Sequence, residues 1–444
     1  MNKLVASVGL AALGVASAQA QVAGLTPNMT KPWSVSATLR GFYDDNFNTA
    51  PKDSPDRRDV FGVEISPSLG WQWAGPQTHV TVGYVYGFKW YDHTPEDQNH
   101  PYDQTHSLNL ALEHAFSERQ QLVLGDSFVI GQEPDFLRAG NSMATFQRIS
   151  GNNKRNYGSV AFKEQFTRLF GIEVGYNNAW YDYAAHNLGQ DGLLTDGGSA
   201  SPAALLNRLE HTVHLDTRWV LQPETVGVFG YQFRWADYTA NEQIAFVVPS
   251  ADFVDGRVFS DNRNYREHYA YIGADHTFCP ELTASARVGA RFIDFYNDPS
   301  GNGNGWGPYA LLNLTWTYAP GSTFELGLSQ DISSTDIGGA SIQSTTATSF
   351  TSSQSATVVY GSIDHRITAK LRGRLLGQSQ NSYFRGGTVS GESEQYYLLG
   401  LNLNYQFTQH LSGEFGYNYD NLASQVPGRT FDRNRVYIGV TAGY

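Results

Sequence analysis

The feature that most constrains this chain is a two-residue alternation of apolar with polar or small side chains, which recurs from residue 33 to the C-terminus. A strand sends successive side chains to opposite faces, so this pattern describes a sheet with one apolar and one polar face. Trp33, Val35, Ala37 and Leu39 alternate with Ser34, Ser36, Thr38 and Arg40. Val80, Val82, Tyr84, Tyr86, Phe88 and Trp90 interleave with His79, Thr81, Gly83, Gly87 and Lys89. Leu209, Val213, Leu215 and Trp219 stand against Arg208, Glu210, Thr212, His214, Asp216 and Arg218, and Tyr397 to Phe407 repeats the pattern against Gly400, Asn402, Asn404 and Gln406. In these segments charge falls on one face only.

The connections between segments sharpen the reading. Short turns are expected at Ala74–Gln77, Ser117–Gln120, Thr167–Leu169, Leu221–Glu224, Cys279–Glu281, Ala319–Ser322, His365–Arg366 and Thr408–His410. Longer polar connections lie between them, for instance Asp92–Asp103, Gln132–Lys154, Asp237–Asn264 and Asp331–Ser353. Strict short-long alternation between segments of roughly nine to thirteen residues is the pattern of a transmembrane barrel, with turns in the periplasm and loops outside. The fold class expected is all-β: a transmembrane antiparallel up-and-down β-barrel of about 18 strands, with about 16 to 18 as the range. A soluble β-sandwich would mix its connection lengths without this rhythm.

Lys3 and the apolar stretch Leu4–Val15, closing on Ala18-Gln19-Ala20, predict a secretory signal over residues 1–20. That stretch is too short for a spanning helix, which needs about 20 residues. Residues 21–32 then form a short periplasmic segment and 33–444 the barrel. Only 16% of the 444 residues are charged while 14% are aromatic, a balance that suits aromatic-girdled β-structure and not helices. The lone Cys279 forms no internal disulfide.

A second repeat marks the turn ends. Pairs spaced by two lead into them, His114/Phe116, His276/Phe278, Trp316/Tyr318 and Tyr405/Phe407. Amphipathic rings at headgroup depth anchor a barrel, so these eight residues are expected to form a periplasmic belt, with no metal or catalytic role for the histidines. The chain ends in the alternating run Val436, Ile438, Val440, Ala442, Tyr444; the terminal aromatic Tyr444 resembles the signal by which the barrel-assembly machinery recognises such chains for insertion.

The hairpin EQYYLLGLNLNYQFTQHLSGEFGYNYD, Glu394 to Asp420, with related units around Phe116, Phe278 and Tyr318, resembles the β-barrel porin family often linked with exopolysaccharide export, as does GFYDDNFNT from Gly41 to Thr49. The likeness of pattern extends over nearly all of the mature chain. It implies a passive outer-membrane pore, in one version accessory to polysaccharide secretion.

Most of the formal charge of −12 falls in the expected outer loops. Acidic loops facing phosphate-rich lipopolysaccharide would suit bridging calcium or magnesium, although clusters such as Asp44, Asp45, Asp53 and Asp56, or Asp92, Glu96 and Asp97, lack cation-loop spacing and read better as solvated acids. On the lumen face Lys370, Arg372 and Arg374 form a basic row at strict period two, joined by Arg287, Arg291, Arg433 and Arg435. Facing them are Glu64, Glu113, Glu210 and Asp216, with Glu267, Asp275 and Glu325. Such rows either favour anions in a pore or pair across strands to hold the wall. Asp126 and Glu164 fit badly, because both fall on lipid-facing positions.

The function expected is a porin-like channel for passive diffusion of small hydrophilic solutes, embedded in lipid and lipopolysaccharide. The alternative is a conduit or accessory protein for exopolysaccharide export, with Tyr269 and Tyr271 as a sugar-sliding surface. No nucleophile motif accompanies the twelve scattered histidines, so an enzyme is not expected; an acidic chain without a basic helix patch is not a nucleic-acid binder. The loop Gln132–Lys154, with Met143 and Phe146 among polar residues, is the candidate constriction.

Overall fold

A computed structural model describes residues 31–93, 100–134, 141–184, 193–194, 200–301, 303–338 and 349–444. The expected signal segment and most of residues 21–32 lie outside these. The strands are β1 (Trp33–Asp44), β2 (Val60–Ala74), β3 (Thr78–Tyr91), β4 (Tyr102–Ala115), β5 (Gln120–Ile130), β6 (Lys154–Gln165), β7 (Phe170–Asp182), β8 (Arg208–Gln222) and β9 (Thr225–Tyr238). A loop hairpin of β10 (Gln243–Phe246) and β11 (Arg257–Phe259) follows. The wall resumes with β12 (Tyr265–Cys279), β13 (Leu282–Asp294), β14 (Gly305–Ala319), β15 (Ser322–Ser333), β16 (Thr351–Arg366), β17 (Leu371–Gly386), β18 (Ser393–Gln406), β19 (Leu411–Ser424) and β20 (Phe431–Gly443).

Apart from the loop hairpin, these form one 18-stranded sheet in which every neighbour is antiparallel, and β1 pairs with β20 from Ser36↔Gly443 to Asp44↔Arg435. Closure leaves no sheet edge, which is what hydrocarbon demands of a spanning sheet. The polarity is inverted relative to a soluble protein. Ile272, Val288 and Ile438 are 60%, 59% and 68% exposed, whereas Arg287, Arg291 and Arg433 are buried. Apolar residues therefore coat the outside, and the charged residues of the alternation turn inward.

Turns and loops alternate as the sequence predicts. The turn Ala319–Ser322 contains Pro320 followed by Gly321 at φ +76°, the left-handed conformation that only glycine takes without strain. One turn is displaced. His365 and Arg366 still pair with Gly373 and Arg372, and the chain reverses over residues 367–370 instead. There Thr368 Oγ1 accepts the backbone N–H groups of Lys370 and Leu371 at 3.2 and 2.9 Å, and the apolar Ile367 disguises this turn as strand.

At the loop end a second apolar core replaces solvent. The short helix α1 (Pro202–Leu206), capped by Ser201 Oγ on the Ala204 N–H at 2.9 Å, buries Leu205 and Leu206 against Ile149, Ile244, Val258 and Phe350. Arg263 ties these loops together. Its guanidinium donates to the carbonyls of Leu205 (3.3 Å), Thr335 (3.0 Å), Thr351 (2.6 Å) and Ile337.

Candidate functional site

Cross-strand partners share a face, so the register sorts every wall residue into lumen or lipid. The lumen encloses a cavity of about 1920 Å³, lined from the turn-end rim at Lys370, Thr408 and His410 up to Glu133 and Ser142 beneath the loop end. Its wall has two kinds of sector. From β2 to β6 the middle of the lumen face is Ser66, Ser68, Val85, Ser107, Asn109, Gly125, Ser127, Tyr157 and Ser159, all uncharged and, Tyr157 apart, small. From β8 to β15 it carries Arg218, Arg234, Glu267, Tyr269, Tyr271, Arg287, Arg291 and Asp331.

The long charged side chains form ion pairs with one another. Arg287 Nη2 lies 2.8 Å from Asp275 and Arg218 Nη2 2.8 Å from the same carboxylate. Arg291 Nη1 meets Asp331 at 2.5 Å and Glu267 at 3.7 Å, while Arg234 bonds Glu267 and reaches Asp331 at 3.3 Å. Tyr269 donates to Glu267 (2.8 Å) and Asp331 (3.0 Å), and Tyr271 to Asp216 at 2.6 Å. Removing one member of such a buried set leaves an uncompensated charge, so the sector is mechanically filled.

Residues 141–153, in the loop between β5 and β6, reach across this lumen. The backbone N–H of Met143 donates to Gln380 Oε1 at 2.8 Å, and its carbonyl accepts from Gln380 Nε2 at 3.0 Å and Gln354 Nε2 at 2.8 Å. These glutamines stand on β17 and β16, across the barrel from the β5 and β6 roots of the loop. Phe146 stacks on Tyr396 (centroids 4.6 Å apart, planes at 17°) and packs with Leu398, Leu422 and Phe431. At the root, Glu133 accepts Arg433 at 2.8 and 3.1 Å, and Arg148 donates to Asp103 at 2.6 Å. Burial pushes the Glu133 carboxyl up, but the guanidinium of Arg433, with Arg435 beyond it, overrides this and holds it well below the usual carboxylate range. The inward loop read from Met143 and Phe146 is thus pinned at both ends.

The predicted lumen residues separate into groups. Arg372 and Arg374 face the lumen near its turn-end rim, 3.3 and 3.9 Å from Asp364. Lys370 lies in the turn before them, so the row leaves the strand at its first member. Arg287 and Arg291 are remote from that rim and engaged in the filled wall; the structure does not join the five into one row. Glu64 lies between Arg40 (3.6 Å) and its cross-strand neighbour Lys89, and accepts Ser66 Oγ at 2.7 Å. Glu113 is exposed at the turn end, Glu210 takes Arg208 Nε at 2.5 Å, and Arg433 holds Asp44.

The belt residues sit on the outer surface at the turn end. His114 and His276 lie edge-on to Phe116 and Phe278, both at 4.4 Å between centroids, and hydrogen-bond Thr78 and Thr225 at 2.7 and 2.8 Å. Trp316/Tyr318 and Tyr405/Phe407 contact within each pair at 5.5 and 5.2 Å. Tyr444 meets Trp33 at 5.7 Å and carries Lys31 Nζ 3.5 Å above its ring. Among the described residues no three His, Cys, Asp or Glu side chains converge as on a metal ion. Of the acidic loop clusters, Asp45 is engaged by Arg57 at 3.2 Å, and Glu96 and Asp97 lie outside the described residues. The anchors Gln354 and Gln380 were not singled out from sequence, because a lone glutamine on a polar face carries no signal of its partner.

Residues 303–444 match the family model described as "Putative beta-barrel porin 2". No curated protein matches the chain. Solved structures similar to it include OccK9 (OpdG) of Pseudomonas aeruginosa, 11% identical, covering 93% of this chain and 98% of that one at a TM-score of 0.42. A BenF-like porin of Pseudomonas fluorescens is 10% identical, with coverage of 93% and 99% and a TM-score of 0.43. OccAB4 of Acinetobacter baumannii is 12% identical, with coverage of 94% and 100% and a TM-score of 0.40. The closed register and the inverted polarity make the chain an 18-stranded β-barrel of the membrane-spanning kind, and its last third, from the start of β14 to the C-terminus, is similar to a porin family.

Proposed function

We propose that the protein is a passive channel for small hydrophilic solutes, not an enzyme, whose path follows the small-residue sector of β2–β6 and whose permeability is set by the loop 131–153. The observation that carries this is the pairing of a lumen cavity of about 1920 Å³ with a loop fastened across it at Met143. A wall of serine, asparagine and glycine offers hydrogen bonds without fixed charge, which suits weak, multiple contacts with polar solutes.

Nothing favours the polysaccharide conduit. Tyr269 and Tyr271, its sequence-level support, are 0% and 3% exposed and hydrogen-bonded into the filled wall, so neither ring offers a sliding surface. Conductance of the purified full-length protein in planar lipid bilayers tests the channel reading. Discrete current steps are expected; their absence from protein that still shows the gel-mobility shift of a folded barrel would overturn it.

A further inference from the structure

One sequence misfit is resolved by the register and the other is deepened. Glu164 is the penultimate residue of β6, beside the turn at Phe166, so it lies at headgroup depth. Asp126 is different. On β5 the outward-facing residues are Leu122, Leu124, Asp126, Phe128 and Ile130, and Asp126 is the central one, paired with Leu110 of β4. It is not bulged inward. Asn156 Nδ2 donates to both of its oxygens at 3.2 and 3.1 Å, and Asn178 Nδ2 continues the chain to Asn156 Oδ1 at 3.3 Å. Gly158 sits between them: a Cβ there would come 2.3 Å from Asn178 Oδ1 and 3.3 Å from Asp126 Oδ2. A carboxylate and two amides therefore cover a bare spot on the outer face of β5–β7, at mid-depth of the apolar band. Phe128 and Trp180 bracket the patch on the loop side, and Leu124 and Val160 on the turn side.

Hydrocarbon offers such a patch no hydrogen bonds, and an ionisable group at mid-membrane depth marks a buried contact. We infer that a second copy of this chain packs against the outer face of β5–β7, covering Asp126, Asn156 and Asn178. Two copies inserted in the same direction carry the patch at the same depth, so a two-fold axis along the membrane normal brings patch onto patch. With that axis near Gly158, Asp126 of one copy stands opposite Asn178 of the other, and the reverse. Acceptor then meets donor on both sides of the axis, and the missing side chain at residue 158 lets Asp126 and Asn178 lie over β6 beside that axis.

Site-specific crosslinking in outer-membrane vesicles tests this. In a Cys279→Ala background, oxidation of Val160→Cys should give a covalent dimer, whereas Ile272→Cys on β12 should not. Native mass spectrometry of the detergent-purified full-length protein should show the dimer, and Asp126→Leu should weaken it about tenfold while the heat-dependent gel shift reports a folded barrel. Equal crosslinking at both positions, a monomer with no Val160→Cys crosslink, or capture of a different chain at Val160→Cys would each overturn the inference.

Discussion

The sector β2–β6 and the sector β8–β15 are built from the same pleat and pair in the same antiparallel register, yet one leaves the lumen open and the other fills it. In the first, lumen positions hold Ser68, Ser107 and Ser159, whose side chains end close to the wall. In the second, Arg218, Arg287 and Arg291 extend inward and are held by Asp275, Asp331 and Glu267. The difference teaches that barrel width alone does not set a pore: at a given strand number, side-chain length around the ring decides which part of the section conducts. Charge in the filled sector serves the wall, and charge at the turn-end rim, where Arg372 is half exposed, faces solvent.

This contrast can be broken most severely at Arg291. Replacing it by Leu leaves Glu267 and Asp331 without one of their partners, and a loss of about 3–5 kcal/mol is expected, read as a lower temperature for the gel-mobility shift. Single-channel conductance should change little, since the filled sector is not the path; a large conductance change with unaltered stability would reverse the roles of the two sectors. Next, Phe146→Ala empties the ring's place beside Tyr396. The loop loses up to about 3–5 kcal/mol of packing, and conductance should rise while the barrel itself stays folded.

A smaller effect is expected at the rim. Arg372→Glu with Arg374→Glu should move reversal potentials toward cation selectivity at low salt and lose most of that effect near 1 M, where screening reaches about 3 Å. Unchanged selectivity would remove the rim from the conduction path. Least of all should change with acid. The Glu133 carboxyl is held below its ordinary range, so its contribution is present above the unfolded value of about 4.3 and is lost only as pH falls through the lower folded value. Conductance should therefore stay level from about pH 7 to about pH 4; a step centred near the ordinary glutamate value would contradict the Arg433 anchor.

Much of this was legible in the chain because period two writes lumen and lipid into alternate letters. Strand number and the alternation of short turns with long loops follow from it, while the inward loop is read from Met143 and Phe146 standing among polar residues. Alternation puts the turn at His365–Arg366, two residues early, because Ile367 continues the apolar pattern. Pairing was beyond reach for another reason. Arg433 and Asp44 are 389 residues apart and meet only because the barrel closes β1 on β20, so no local pattern assigns an arginine to its carboxylate. Without those partners a basic row looks free when Arg287 and Arg291 are in fact consumed. Asp126 is the opposite case, a residue whose misfit was visible in sequence and whose hydrogen-bonded neighbours only the register supplies.

The most direct test of the two-sector account is current block by a thiol reagent. In a Cys279→Ala background, Ser107→Cys on the open sector and Val228→Cys, buried on the lumen face of β9, are each exposed to a bulky charged methanethiosulfonate during bilayer recording. The account predicts that the reagent lowers the current steps of Ser107→Cys and leaves those of Val228→Cys unaltered. Block at Val228→Cys with none at Ser107→Cys would place the path along the wrong wall and contradict it.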